Sequence, residues 1–309
     1  MKKIFLLFTA AVLSAGMAFA QDINQATENY NNGAMELQMG NNDAAIGYFQ
    51  AALEMAEALG EEGAEVATNC RNIIPAIYLS SAKEMIKADM FDEAVAQLNK
   101  AIEAAGQYET PEVADDATAL IPQVYVSKGN GFLSAKSFPE AEAAYRQAVE
   151  LDATNGMAQF RLGQALASQN KTDEAVAAYL VAAENGQEKN AFKQLSNIYV
   201  KLAQASNKAK KYEEVLDYAA KSNQYLENAN AYRFAAGAAQ QLGKNADCIA
   251  NYEKYLELSP NAKDAGGVKF TIAALYQQAG DKVKAKEYYQ AVSTDPQYGA
   301  AAQEQLKTL

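Results

Sequence analysis

The 309 residues include no histidine, so a serine or cysteine nucleophile would lack its usual base and zinc its commonest nitrogen ligand. The two cysteines, Cys70 and Cys248, are too few for a metal cluster and are predicted to be buried free thiols. The carboxylate pairs Glu61-Glu62 and Asp115-Asp116 fall in turns or on helix surfaces and read as solvated charge. Gly129-Asn130-Gly131 follows no strand and lies inside a helical pattern, so it is no phosphate loop. No catalytic residue, cofactor or metal is expected, and the chain is predicted not to be an enzyme. A hydrolase would have to work with carboxylates alone. Lysine, arginine and amide side chains remain, and their chemistry is charge attraction and hydrogen bonding.

The elements that must position those side chains are clearest in Asp152 to Ala183. This stretch carries two apolar helical faces, Met157/Phe160/Leu162/Leu166 and Ala175/Val176/Tyr179/Ala182, with a polar turn from Ser168 to Thr172 between them. Each face must be covered by the other helix and by neighbours before and after, which makes the stretch one hairpin of a stack. The small residue early in each second helix recurs as Ala45, Ala94, Ala141, Ala175, Val215, Cys248 and Ala285. Four residues on stand Phe49, Leu98, Tyr145, Tyr179, Ala219, Tyr252 and Tyr289; three further stand Ala52, Ala101, Ala148, Ala182, Ser222, Tyr255 and Val292. These offsets place all three series on one helical face, so the tyrosines read as core and not as a ligand box.

Leu162-Gly163 followed by Ala175, Tyr179 and Ala182 resembles the tetratricopeptide repeat. The resemblance implies an all-α fold: an α-solenoid, a right-handed superhelix of about seven hairpins with a capping helix. The hairpins are placed at about 26–59, 64–106, 112–152, 153–186, 189–227, 229–260 and 264–296, and the cap at 298–309. Asn42-Asp43, Asp92, Ser137, Thr172-Asp173 and Asp264 offer helix caps or early acids. Gly60, Gly106, Gly186, Pro260 and Pro296 offer stops. Gly60–Gly63 and Tyr108–Pro111 are expected to be loops leading into lengthened first helices, which Pro75 and Pro122 should open or kink. Asn31 and Asn32 stand where apolar residues are expected, so the first helix reads as degenerate.

The family lines its groove with the first helix of each hairpin. With Gly33, Ala82, Gly129, Gly163, Ala203, Ala236 and Ala273 set as equivalent, six groove positions per hairpin give 42, and none is Asp or Glu. Six are basic and thirteen are amides, where an even spread of the acids would place about five. The candidate ligand residues are therefore Lys83, Lys87, Asn130, Arg161, Gln164, Asn197, Lys201, Gln204, Lys208, Arg233 and Gln240. Such a wall suits an extended peptide or a partner's acidic segment. The lysine and asparagine clamp with which some members grip a chain terminus is not reproduced. Asn130 matches it, but Val126, Arg161, Ala191 and Leu195 stand at its other positions.

The chain opens MKKIFLLFTAAVLSAGMAFA, an export signal with cleavage expected at Ala20-Gln21 and too short an apolar run to span a bilayer. No cysteine follows that would carry a lipid. Without Lys2 and Lys3, 25 of the 27 basic residues face 38 acids, a net charge of −13, which argues against nucleic acid or anionic lipid as partner. The expected product is an exported, extracytoplasmic scaffold that binds a protein or peptide, periplasmic in a two-membrane cell. It would meet a membrane only through its uncleaved signal. The alternative is an envelope assembly protein acting through outer surfaces or self-association.

Overall fold

Residues 19–309 are described by the structure, a computed structural model; the expected export signal lies almost wholly outside the described residues. Helices pair in chain order: α1 (Phe19–Gln38) with α2 (Asn42–Ala58), α3 (Ala64–Lys87) with α4 (Phe91–Gln107), and α5 (Pro111–Ser134) with α6 (Phe138–Leu151). Then come α7 (Gly156–Ser168) with α8 (Thr172–Ala182), α9 (Glu188–Lys208) with α10 (Tyr212–Tyr225), α11 (Ala229–Gln241) with α12 (Asn245–Leu258), and α13 (Ala265–Gln278) with α14 (Lys282–Ala291). A last helix, α15 (Gly299–Leu306), packs on α14. No strand occurs among the described residues. The hairpins form two compact units, one ending at Ala153 and one beginning at Thr154. Each unit is an all-α stack of the helical-repeat solenoid kind. No described helix is long and apolar enough to cross a membrane.

The spacing inside every hairpin is the same. The small residue of the first helix precedes that of the second by 12 positions throughout, from Gly33 and Ala45 to Ala273 and Ala285. All seven second-helix members are 0 % exposed. In three hairpins the ring four positions on lies against a glycine of the first helix: Phe49 on Gly33, Tyr145 on Gly129 and Tyr179 on Gly163. A Cβ at Gly129 would come within 2.5 Å of the Tyr145 ring, and one at Gly163 within 2.8 Å of the Tyr179 ring. Glycine there is what lets the two backbones approach. Of that ring series Phe49, Leu98, Tyr145, Tyr179, Ala219 and Tyr289 are buried; Tyr252 is not.

A second regularity sits in the turns. Seven residues past the small residue of each first helix the backbone turns left-handed, at Gly40, Asp89, Lys136, Asn170, Lys210, Gly243 and Gly280, with φ between 57° and 83°. Four of the seven are not glycine, a conformation that costs an ordinary L-residue about 1–2 kcal/mol. This turn ends the first helix and leaves five residues to reach the next buried contact.

Several expectations need correction. Pro75 and Pro122 open no helix; each lies within a continuous one, α3 and α5. Pro75 is itself buried beside Ile74 and Ile77, so packing on both sides outweighs the lost hydrogen bond. Ser137 and Asp264 hold N-cap positions without a side-chain cap bond, whereas Asn155, Asn228 and Asp281 do cap. Asp43, Asp92 and Asp173 fall in first turns, where they favour the helix dipole. The first helix is regular from Phe19, upstream of Ala26, and buries Ala26, Tyr30 and Gly33 while Asn31 faces solvent.

Cys70 and Cys248 are free and fully buried. Burial pushes the Cys70 thiol up to about 12 and that of Cys248 up to about 11. Because both are raised on folding, their contribution to stability is complete below the ordinary thiol range of about 8.5 and is lost as pH rises toward those values. A disulfide reagent at pH 8 is expected to leave the native protein unlabelled and to titrate two thiols once urea unfolds it. Fast labelling of the native chain would contradict this burial.

Candidate functional site on the first helices

In the unit ending at Ala153, Lys83 and Lys87 on α3 and Asn130 on α5 are exposed. In the unit beginning at Thr154, Arg161 and Gln164 on α7 are half-buried, while Asn197, Lys201, Gln204 and Lys208 on α9 and Arg233 and Gln240 on α11 are exposed. The four α9 residues follow the i, i+4, i+7, i+11 spacing of one helical stripe. Leu195, Ser196, Ala203 and Ser206 of the same helix are buried. None of the four stripe side chains has a hydrogen-bond or ion-pair partner among the described residues, which leaves two cations and two amides facing solvent.

The other candidates are partly engaged. Arg161 donates through Nη1 to Gln164 Oε1 (2.9 Å), and its buried Nε has no partner. Asn130 Oδ1 accepts from the hydroxyl of the buried Tyr145 (2.8 Å), which turns its NH2 group outward. Tyr289 makes the same bond to Gln277 Oε1 (2.8 Å), and Gln277 donates in turn to Gln305 (3.2 Å). Sequence reasoning missed this anchoring of wall amides by core tyrosines. The constant 16-residue separation of Gly129 from Tyr145 and Ala273 from Tyr289 is the signal that could have found it.

α9, α11, α12 and the start of α13 line a recess of about 290 Å3 with Asn207, Arg233, Phe234, Gly237, Tyr252, Asp264 and Val268. Arg233 lies over the Phe234 ring, 5.5 Å from its centroid, and reaches Asp264 Oδ2 at 3.4 Å. Asp264 Oδ1 accepts from the Tyr255 hydroxyl, and burial first, then this bond, push that phenol up to about 12. The expectation of a wall free of acid is thereby corrected. Asp264 precedes α13 as its N-cap, outside the counted positions, yet reaches the arginine of the neighbouring first helix. Lys128, beside Asn130, is bound to Asp92, so it is no free cation.

Among the described residues the Ser206 hydroxyl donates to Glu214 Oε2 (2.9 Å), a carboxylate that Lys211 also holds. The buried Ser196 and Ser222 hydroxyls bond to each other (2.9 Å) and to backbone carbonyls. No group of three or more Cys, Asp and Glu placed to hold a metal ion occurs among the described residues.

Comparison with known proteins then decides the family: residues 126–189, from the second half of α5 to the start of α9, match the tetratricopeptide repeat. That segment carries tetratricopeptide-repeat sequence. The hairpins outside the matched segment share its 12-residue spacing and its buried small residues. No curated protein sequence matches the chain. Solved structures with similar folds include MamA from the strain AMB-1, 20 % identical over 56 % of this chain and 91 % of that one, with a TM-score of 0.37. YrrB, described as a TPR protein with an unusual peptide-binding site, is 17 % identical over 59 % of this chain and 91 % of its own, with a TM-score of 0.33. PilF of Pseudomonas aeruginosa is 19 % identical over 60 % and 90 %, with a TM-score of 0.30. The hairpins here present amides and cations of their first helices outward and bury Tyr145, Tyr179 and Tyr289.

Proposed function

We propose that this protein is a non-enzymatic interaction scaffold, exported to the cell envelope, which holds an extended or helical segment of a partner protein on the first helices of its repeats. The observation that carries the reading is the α9 stripe: Asn197, Lys201, Gln204 and Lys208 are exposed and unpartnered on a chain with an acidic balance of 38 to 27. Structural surface lysines are usually spread among acids; these belong to 42 first-helix positions of which none is Asp or Glu. Main-chain carbonyls and acidic side chains of a bound segment match such donors. Export rests on residues 1–20, and the mature chain is expected to begin at Gln21.

Lys201→Glu with Lys208→Glu is expected to weaken crosslinked capture of the native partner by about tenfold or more, the loss growing at low salt. Equal capture by the variant and the parent would contradict the reading. Because both side chains are exposed and unpaired, the double change should leave the helical content intact.

A further inference from the structure

The recess between α9, α11, α12 and the start of α13 departs from its sister hairpins at one point. Sixteen residues before each core tyrosine stands a small residue, and in the α5–α6 hairpin the next residue is Asn130, which takes the Tyr145 hydroxyl. In the α11–α12 hairpin the residue after Ala236 is Gly237. Gly237 offers Tyr252 no such amide, and Gln240, which matches the Gln277 that takes the Tyr289 hydroxyl, is exposed and does not reach it; Tyr252 is not fully buried, and its hydroxyl has no partner among the described residues. A Cβ built at Gly237 would meet nothing within 4 Å, so the space above the glycine is open.

Donors converge on this opening. Arg233 spends one N–H on a long contact with Asp264, at 3.4 Å and half in solvent, and keeps four others. The Asn207 side chain and the Tyr252 hydroxyl are unpartnered and line the same recess. Phe234 and Val268 supply apolar cover suited to the methylenes of a longer side chain. Asp264 is already an acceptor for Tyr255 and Arg233, so the donors left over call for an acceptor from outside.

We propose that this recess is a subsite for an acidic side chain of the bound segment, entering beside Gly237 and accepting from Arg233, Asn207 and Tyr252. The inference rests on the reading of the first helices as a partner-binding wall.

The test follows the methyl signals of Val268 in the purified protein during titration with N-acetylglutamate methylamide, its glutamine isostere and N-acetylalanine. The glutamate compound is expected to bind about tenfold more tightly than the glutamine, a charge-assisted against a neutral contact. Arg233→Gln should remove that preference. Asp264→Asn, which keeps the acceptor for Tyr255 and deletes the competing charge, should tighten glutamate binding severalfold. Gly237→Leu should abolish it with Tm unchanged or higher, since the new side chain fills open space.

Equal binding of glutamate and glutamine, weaker binding in Asp264→Asn, or a preference for the chain-terminal carboxylate of N-acetylalanine would each overturn the assignment. Partner capture that survives Gly237→Leu but fails in the Lys201/Lys208 reversal discards the subsite alone. Capture that survives both discards the wall as well.

Discussion

Tyr145→Ala is expected to lower the unfolding free energy by about 3–5 kcal/mol. The ring is fully buried between a glycine of its own hairpin's first helix and the small residues on either side of it in α6. Its removal leaves a cavity that rigid helical backbones cannot close. Tyr145→Phe keeps the ring and loses the bond to Asn130, so it should cost about 0.5–1.5 kcal/mol. Tyr252→Ala is the matched comparison: with its ring partly in solvent and its hydroxyl unpartnered, its truncation should cost clearly less than that of Tyr145. Urea titrations followed by helical circular dichroism give the ranking, and equal losses at positions 145 and 252 would refute the contrast between them.

The second large effect reverses the usual sign of a glycine replacement within a helix. Gly→Ala in a helix interior ordinarily stabilises by about 1 kcal/mol. At Gly129 and Gly163 the added carbon would stand 2.5 Å and 2.8 Å from ring atoms that have no room to retreat, and overpacking of this kind costs about 1–3 kcal/mol. Gly129→Ala should therefore be the more destabilising of the two, with Gly163→Ala close behind. Gly33→Ala, where the ring of Phe49 lies at 3.1 Å, should be milder, and Gly237→Ala should stabilise. A thermal-shift series over these four variants checks the order, and a uniform gain across all four would show that the rings do not set the helix spacing.

Much of this fold is written in residue spacing because each hairpin repeats one packing problem. A small residue at Ala45 or Ala141 with a large one four positions later can be satisfied only by a facing small residue on the first helix, so periodicity carries the stack. The turns are less legible. Gly40, Gly243 and Gly280 announce a left-handed residue, but Asp89, Lys136 and Lys210 adopt the same φ near 60° without any compositional sign, held there by the helices they join. Pro75 and Pro122 do not open their helices for a related reason: local propensity favours a break, and packing on both sides of α3 and α5 keeps each helix continuous.

The candidate site was legible in its cations and amides but not in its acid or its exception. Asp264 lies just ahead of α13 and escapes any census confined to first helices, yet it sets the geometry of Arg233. Tyr252 carries the same residue type at the same register as Tyr145 and Tyr289. Tyr289 finds its amide at Gln277, four residues after its facing small position, whereas the matching Gln240 of the Tyr252 hairpin makes no such bond and Gly237 offers no side chain. That distinction is a three-dimensional relation between two helices and becomes readable once the 16-residue spacing is recognised.

The most direct measurement of the central claim places a photo-crosslinking amino acid at Gln204, in the middle of the α9 stripe, and in a second variant at Asp217, exposed on the neighbouring α10. Irradiation in the native envelope followed by mass spectrometry is expected to join a defined partner peptide to position 204 and none to position 217. Adducts at position 217 with none at 204 would contradict the assignment of binding to the first helices.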